Sequence, residues 1–123
     1  MPPSPFKGLN GLRFDAKGQL YVGSVAEQTI YRFDVATGEY EIFLNRPEGQ
    51  ADDFFLTPNG KIFYTALLSG EVITFDPQTN KVATIANGIS AVDPIAQDIH
   101  RRIFIGQSLS LSNTGLYEVE PTG

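Results

Sequence analysis

The chain has 123 residues, with 14 acidic against 9 basic side chains and a formal net charge of −5. This is enough for one ordinary domain, and it lacks the positive surface that nucleic-acid binders carry. The absence of cysteine excludes disulfides, zinc fingers, iron–sulfur clusters and thiolate nucleophiles. The start has no signal-peptide core and no stretch reaches the length of a membrane span, so we expect a cytoplasmic protein with no nucleic-acid or membrane partner.

One pattern occurs three times along the chain. The stretch 10–22 (NGLRFDAKGQLYV) returns as 52–64 (DDFFLTPNGKIFY) and, more faintly, as 93–105 (DPIAQDIHRRIFI). A period of about 40 residues is typical of stacked or radial repeats, in which one unit cannot bury its own apolar faces. Equal positions in the units then occupy equivalent places, so a polar residue kept at one position is a candidate site.

Each unit predicts a series of short strands, because apolar segments of β type are separated by turn residues. In the first unit we predict strands over 11–15, 19–23, 29–34 and 40–44, and in the second over 53–57, 61–65, 71–76 and 82–86. The third unit reaches only the turn after its third strand. The pattern therefore predicts four, four and three strands, and no helix.

Four-stranded antiparallel units at this period predict an all-β fold made of β-propeller blades. We predict a single half-propeller domain, with blade 1 over about 8–48, blade 2 over about 49–89 and blade 3 over about 90–123. The last blade lacks its outer strand. The segment Ser4–Gly8 is a candidate for such a strand, although its prolines limit it to a short edge.

Three blades do not close a ring, since closed propellers have roughly four to eight. Apolar faces at both ends would then stay open, which soluble monomers rarely tolerate. The faces predicted to be open carry Tyr21, Phe33 and Phe43 in blade 1 and Phe104, Ile105 and Tyr117 in blade 3. We expect a second copy of the chain to complete a six-bladed ring as a two-fold homodimer. The alternative is that the chain is part of a longer propeller.

The segment 8–22 (GLNGLxFDxxGxLYV), followed by 30–38 (IYRFDxxTG), resembles the gluconolactonase, senescence-marker-protein and luciferin-regenerating-enzyme family of six-bladed propellers. Propellers of the strictosidine-synthase and NHL-repeat types share this blade pattern, so the resemblance is more specific for fold than for activity. It implies a divalent metal in the central channel, held by a Glu of a Glu-Gly-Pro motif, two Asn and one Asp at the starts of inner strands.

On that resemblance Asn10, Asp52 and Asp93 stand at the ligand positions, with Asp52 in place of an Asn. Each stands nine residues before the residue that opens the second strand of its unit. The chain has no Glu-Gly-Pro; Pro47–Gly49 has related letters in another order, so the fourth ligand is not assigned. The implied activity is metal-dependent hydrolysis of sugar lactones or similar cyclic esters, with Asp93 as the catalytic proton acceptor.

Oxygen-bearing side chains at one rim of a channel suit a hard cation, Ca²⁺ first, with Mg²⁺, Mn²⁺ and Zn²⁺ as alternatives. The competing explanation is that Asn and Asp are frequent at strand starts because they bond nearby backbone N–H groups. Three functions therefore remain open: a metal-dependent hydrolase with a small-molecule substrate, a noncatalytic propeller that binds a small molecule or a protein, and an inactive fragment.

The remaining residues of note are assigned to structure. His100, the single histidine, is predicted in an exposed turn far from Asp93, which excludes a Ser/His/Asp triad. The run 107–115 lengthens one connection of blade 3, which we interpret as a surface loop. Aromatic residues of blade 2 are predicted to pack between blades; they are Phe54, Phe55, Phe63, Tyr64 and Phe75.

Overall fold

The computed structural model describes residues 7–45, 51–66, 69–89, 92–110 and 113–119. These residues form β-strands joined by turns. No membrane-spanning helix is found among them. The strands are β1 (Leu9–Phe14), β2 (Leu20–Ser24), β3 (Thr29–Phe33), β4 (Tyr40–Asn45), β5 (Ala51–Leu56), β6 (Ile62–Ala66), β7 (Glu71–Asp76), β8 (Lys81–Ala86), β9 (Val92–Gln97), β10 (Ile103–Ser110) and β11 (Asn113–Val119).

The strands form three antiparallel sheets in chain order, with β1–β4 in blade 1, β5–β8 in blade 2 and β9–β11 in blade 3. The prediction of an all-β fold with four, four and three strands is confirmed for the described residues. Only Lys7 and Gly8 of the proposed extra strand are described. The carbonyl of Gly8 accepts a hydrogen bond from Val25 at 2.9 Å, which places it beside the end of β2 in blade 1.

Turn chemistry explains why the strand ends were predictable. At one repeat position, just after the first strand of each blade, a short polar side chain caps the hairpin turn. Asp15 and Asp98 each accept two backbone N–H groups at 2.9 Å, and Thr57 accepts the N–H of Lys61 at 3.0 Å. Such bonds stabilise the turn locally, so Asp15 is a turn residue, as predicted.

The blades are arranged around their first strands. β5 packs against both β1 and β9, so the three first strands lie side by side at the centre, as in a propeller. Two apolar layers fill the spaces between blades. Phe54, Ile62 and Tyr64 form the centre of the layer between blades 1 and 2, while Val72 and Ile95 belong to the layer between blades 2 and 3.

Aromatic contacts support both layers, and the aromatic residues of blade 2 pack between blades, as predicted. Tyr21 meets the ring of Phe43 edge to face at 4.9 Å, and Phe43 meets Phe75 at 6.1 Å across the first blade boundary. Phe55 and Phe63 stack at 4.9 Å on the opposite side of blade 2. Offset and edge-to-face pairs of this kind add to the stabilisation that burial provides.

The predicted identity of the open faces was wrong in part. Tyr21 and Phe43 pack against blade 2, and Ile105 is buried between blades 2 and 3. Alternation along a strand shows which residues share a face, but both faces of a blade are apolar and only the packing decides which one is covered. The open face of blade 1 carries Leu12, Phe14, Tyr40 and Ile42, and the open face of blade 3 carries Phe104 and Leu116.

The inserted residues of blade 3 lengthen a hairpin. β10 and β11 stay paired from Ile103 opposite Val119 to Ser110 opposite Asn113. The prediction of a longer surface loop therefore needs correction, because most of the inserted residues continue the hydrogen-bonded ladder beyond the length seen in blade 2.

Candidate functional site

A β-bulge occurs at the same place in all three central strands. Where β1 advances three residues, from Leu9 to Leu12, its partner β2 advances two, from Ser24 to Val22. The same mismatch is present over 51–54 in β5 and 92–95 in β9. Bulges of this kind redirect side chains and are common beside functional sites.

The predicted site residues Asn10, Asp52 and Asp93 occupy these bulges. Sequence reasoning placed them at the openings of the strands; the structure places them inside strands that begin earlier, where they keep equal positions in the three blades. The strands begin earlier than predicted because the bulge allows strand pairing to continue on the N-terminal side of the polar residue. For Asp93 the structure describes the backbone position only.

Asn10 and Asp52 are in direct contact across the boundary between blades 1 and 2. Nδ2 of Asn10 donates a hydrogen bond to Oδ1 of Asp52. Asp52 is 3% exposed, whereas Asn10 is exposed. A buried carboxylate is costly unless it is hydrogen-bonded or paired, so the amide of Asn10 contributes to holding Asp52 at this position.

A glycine makes that contact possible. Gly11 follows Asn10 in the bulge, and a Cβ atom at Gly11 would lie 2.7 Å from the ring of Phe54; at Gly23, on the neighbouring strand, the distance would be 3.2 Å. The two glycines let β1 and β2 approach the Phe54 ring closely. This close approach brings the side chain of Asn10 within reach of Asp52.

The donor set fits part of a coordination sphere for a hard cation. Carboxylate and amide oxygens are suitable ligands, but Ca²⁺ takes six to eight oxygen atoms. Among the side chains that the structure describes, no group of three or more His, Asp or Glu residues is placed to hold a metal ion. The metal role of Asn10, Asp52 and Asp93 stays a prediction.

Asp53 has a different structural role from its neighbour Asp52. Its carboxylate lies 3.1 Å from Nη2 of Arg13 in blade 1 and accepts the backbone N–H of Ile95 in blade 3 at 3.1 Å. Its own N–H donates to the hydroxyl of Thr65 at 3.2 Å. Asp53 therefore links all three blades beside the bulges, a role that sequence reasoning missed because it depends on contacts between repeats.

Two other features lie away from the bulges. His100 is exposed in the β9–β10 turn, as predicted. The backbone N–H of His100 donates to Asp98. Burial raises the pKa of the Asp98 carboxyl, but hydrogen bonds from Arg102 and His100 outweigh this effect and lower the pKa.

An open pocket of about 240 Å³ lies at the outer edge of blade 1 beside Arg32 and Glu39 and shares no lining residue with the Asn10–Asp52 pair.

The comparisons with known proteins give a fold and no sequence family. No family model matches the chain, and no curated protein matches it in sequence. Among solved structures, 93% of the chain is similar to 44% of a chain of a nidogen/laminin complex, with a TM-score of 0.79 and 19% identity. Virginiamycin B lyase from Staphylococcus aureus is similar over 92% of this chain and 42% of its own, with a TM-score of 0.66 and 15% identity.

A third similar structure is the PQQ-bound aldose sugar dehydrogenase from Streptomyces coelicolor, with a TM-score of 0.68 and 20% identity over 84% of this chain and 38% of that one. The chain is therefore a set of β-propeller blades, and it spans less than half the length of these proteins. At these identities the similarity concerns the fold alone. It supports a propeller without distinguishing the gluconolactonase group from others.

Proposed function

We propose that this chain supplies part of a small-molecule site at the centre of a propeller, where Asn10, Asp52 and Asp93 hold a divalent cation and a sugar lactone or similar cyclic ester is hydrolysed. The observation that carries the proposal is the direct contact between Asn10 and the buried Asp52 at aligned bulges of adjacent blades. A buried carboxylate that meets an amide of the neighbouring blade at the centre of the sheets costs stability unless it has a partner, which is typical of a binding position.

The three residues have distinct roles in this proposal. Asp52 provides the buried negative charge, and Asn10 orients it through the hydrogen bond. Asp93 accepts a proton from the water molecule that attacks the lactone carbonyl. The water oxygen bonds to the acyl carbon, the ring C–O bond breaks, and the ring oxygen takes up a proton, which gives the hydroxy acid. A bound Ca²⁺, Mg²⁺, Mn²⁺ or Zn²⁺ would supply polarisation of the carbonyl.

A second function, noncatalytic binding, has an observation in its favour. The Asn10 amide already donates a hydrogen bond to the Asp52 carboxylate, so the pair is compatible with a site that holds no cation and recognises a polar group on a ligand. Propellers similar to this chain include enzymes and a member of a protein–protein complex, which agrees with either role.

Cation binding is tested by thermal unfolding with Ca²⁺ or Mn²⁺. At a cation concentration 100 times Kd, binding adds about 2.7 kcal/mol to the free energy of unfolding, a rise in Tm on the order of 10 °C for a chain of this size. We expect Asp52→Asn and Asp93→Ala to remove most of the rise. Asp76→Asn, which keeps an acceptor for the turn N–H of Gln78, is the matched control and should respond as wild type does.

Hydrolysis of a panel of sugar lactones separates the two functions. An enzyme should open a lactone in a cation-dependent way and lose that activity in Asp93→Ala, while Asp76→Asn stays active. A cation-dependent rise in Tm without hydrolysis would support the cation site and argue against the hydrolase. A protein whose Tm responds to no divalent cation, and which opens no lactone, would contradict the proposal.

A further inference from the structure

We infer that the open face of blade 1 is a docking surface for blade 3 of a second copy of this chain, so that two copies join through two identical contacts. This inference rests on the two open faces and not on the proposed chemistry of the bulges. It also gives the expected homodimer a specific interface, with Leu12 of each copy against Leu116 of the other.

The repeat shows that the open face of blade 1 is equivalent to a face that is buried in blade 2. Positions 42 residues apart are equivalent in blades 1 and 2, as the strand registers show. The face of blade 2 that blade 1 covers consists of Phe54, Ile62, Tyr64, Ile73 and Phe75. The equivalent face of blade 1 consists of Leu12, Leu20, Val22, Tyr31 and Phe33.

Exposure of the first strand separates the two equivalent faces. Leu12 is 54% exposed, whereas its equivalent Phe54 is 0% exposed and Ile95, at the same position of blade 3, is also buried. Further along this face, Tyr40 packs on the rings of Tyr31 and Phe33 at 5.9 and 5.3 Å. The open face of blade 1 therefore has an apolar, aromatic surface like that of a blade boundary, but none of the described blades lies on it.

Blade 3 presents the matching surface at the opposite end of the chain. Ile30, Val72 and Leu116 are equivalent, because each lies opposite the same position of the second strand of its blade. Ile30 is 1% exposed and Val72 0%, since each is covered by the following blade, whereas Leu116 is 78% exposed. Phe104, beside it on the open face of blade 3, is covered in part by Arg102, 5.6 Å from its ring.

The chain thus carries both halves of one more blade boundary. Ile30 and Phe54 belong to the same apolar layer between blades 1 and 2. By the repeat, Leu116 of one copy takes the place of Ile30 and Leu12 of the other takes the place of Phe54. A two-fold axis makes this contact twice and closes the assembly, with both open faces covered and none left to recruit a third copy.

A second copy would supply the length of chain that similar propellers contain. The chain spans 44% of the chain from the nidogen/laminin complex and 42% of virginiamycin B lyase. Two copies therefore supply about the amount of chain that these propellers use. In the joined pair, the bulge that contains Asp93 would lie next to the bulge that contains Asn10 of the partner subunit, as Asp52 lies next to Asn10 within one copy.

The first test is the molecular mass in solution, measured by light scattering over a range of concentrations. We expect twice the chain mass of 13.5 kDa. Leu12→Glu and Leu116→Glu should each raise the dissociation constant of the pair by at least 100-fold, with unchanged circular dichroism, because both side chains are exposed within one copy. The matched controls are Ile99→Glu and Val35→Glu, which replace exposed apolar residues in turns and should keep the dimer.

The second test is cross-linking, which does not depend on how the glutamate variants fold. The chain has no cysteine, so a Leu12→Cys, Leu116→Cys variant carries only the two introduced thiols. With a short bis-maleimide, we expect one covalent species of dimer mass. Leu12→Cys alone and Leu116→Cys alone should stay uncross-linked, and an equal mixture of the two should give dimer. A folded wild-type monomer at every concentration, or a ladder of higher oligomers, would overturn the inference.

Discussion

The guanidinium of Arg13 lies 3.1 Å from the carboxylate of Asp53, so an ion pair crosses the boundary between blades 1 and 2. The same carboxylate accepts the backbone N–H of Ile95 in blade 3 at 3.1 Å. The carboxylate side is the better buried of the two, with 15% of the Asp53 side chain exposed against 40% of that of Arg13. One side chain of the middle blade thus connects both neighbouring blades next to the candidate site.

The two partners of this ion pair should contribute unequally to stability. Asp53→Ala leaves the N–H of Ile95 without its acceptor and should lower the free energy of unfolding by about 1–3 kcal/mol. Arg13→Ala removes a half-exposed partner and should cost about 0–1 kcal/mol. Asp53→Asn keeps an acceptor for Ile95 and should lie between them. Urea unfolding measures all three, and equal costs for Asp53→Ala and Arg13→Ala would show that the bond to Ile95 contributes little.

The close approach of Gly11 to Phe54 predicts a second, graded effect. A Cβ at Gly11 would lie 2.7 Å from the Phe54 ring, and one at Gly23 would lie 3.2 Å from it. Gly11→Ala should therefore destabilise the chain by about 1–3 kcal/mol, as overpacking does, and Gly23→Ala by less. Neither glycine has a positive φ, so the cost comes from the clash and not from backbone strain.

A double-mutant cycle identifies the atoms responsible. Phe54→Leu shortens the side chain that the added methyl group would meet, so the cost of Gly11→Ala should be smaller in the Phe54→Leu background. Additive costs in urea unfolding would mean that another contact is responsible. Circular dichroism of each variant checks that the strands are retained.

Much of the fold was predictable from local features, because each blade repeats its own turn chemistry. Asp15 and its equivalents cap their turns within four residues of sequence, so the strand ends follow from the sequence alone. The face that each blade turns to its neighbour did not follow. Tyr21 and Leu12 are both apolar strand residues, and only packing between blades, which is long-range information, buries the first and leaves the second open.

The positions of the candidate site residues were predictable from the sequence, but the contacts around them were not. The repeat placed Asn10 and Asp52 at equal positions, and their contact agrees with that placement. The bulges and the role of Asp53 were not predictable, because both depend on the register between strands. Gly11 and Pro94 stand at the positions equivalent to Asp53 in the other blades, so no repeated residue type pointed to the connection between blades.

The hydroxyl of Tyr31 donates a hydrogen bond to Glu27, and that bond, with a smaller effect of burial, raises the pKa of Tyr31 to about 12. The ordinary value is about 10. Because the folded value is the higher one, the stabilisation is complete below about pH 10 and is lost as the pH rises towards 12. Glu27→Gln should move the tyrosinate absorbance of Tyr31 to lower pH. Tyr31→Phe identifies which step of the titration belongs to this residue, and an unchanged curve in Glu27→Gln would contradict the assignment.

The pairing of Asn10 with Asp52 gives a prediction that links stability to cation binding. Asn10→Asp removes the donor to a buried carboxylate and adds a like charge beside it, so without a cation it should lower the free energy of unfolding by at least about 1–3 kcal/mol. An additional carboxylate also strengthens a Ca²⁺ site. The variant should therefore have a lower Tm than wild type in a chelator and show a larger rise in Tm with Ca²⁺.

The control is Asn10→Ala, which removes the donor without adding charge. It should be destabilised, and its rise in Tm with Ca²⁺ should not exceed that of wild type. If Asn10→Asp were destabilised equally with and without Ca²⁺, the two side chains would be paired for structure and not for a cation.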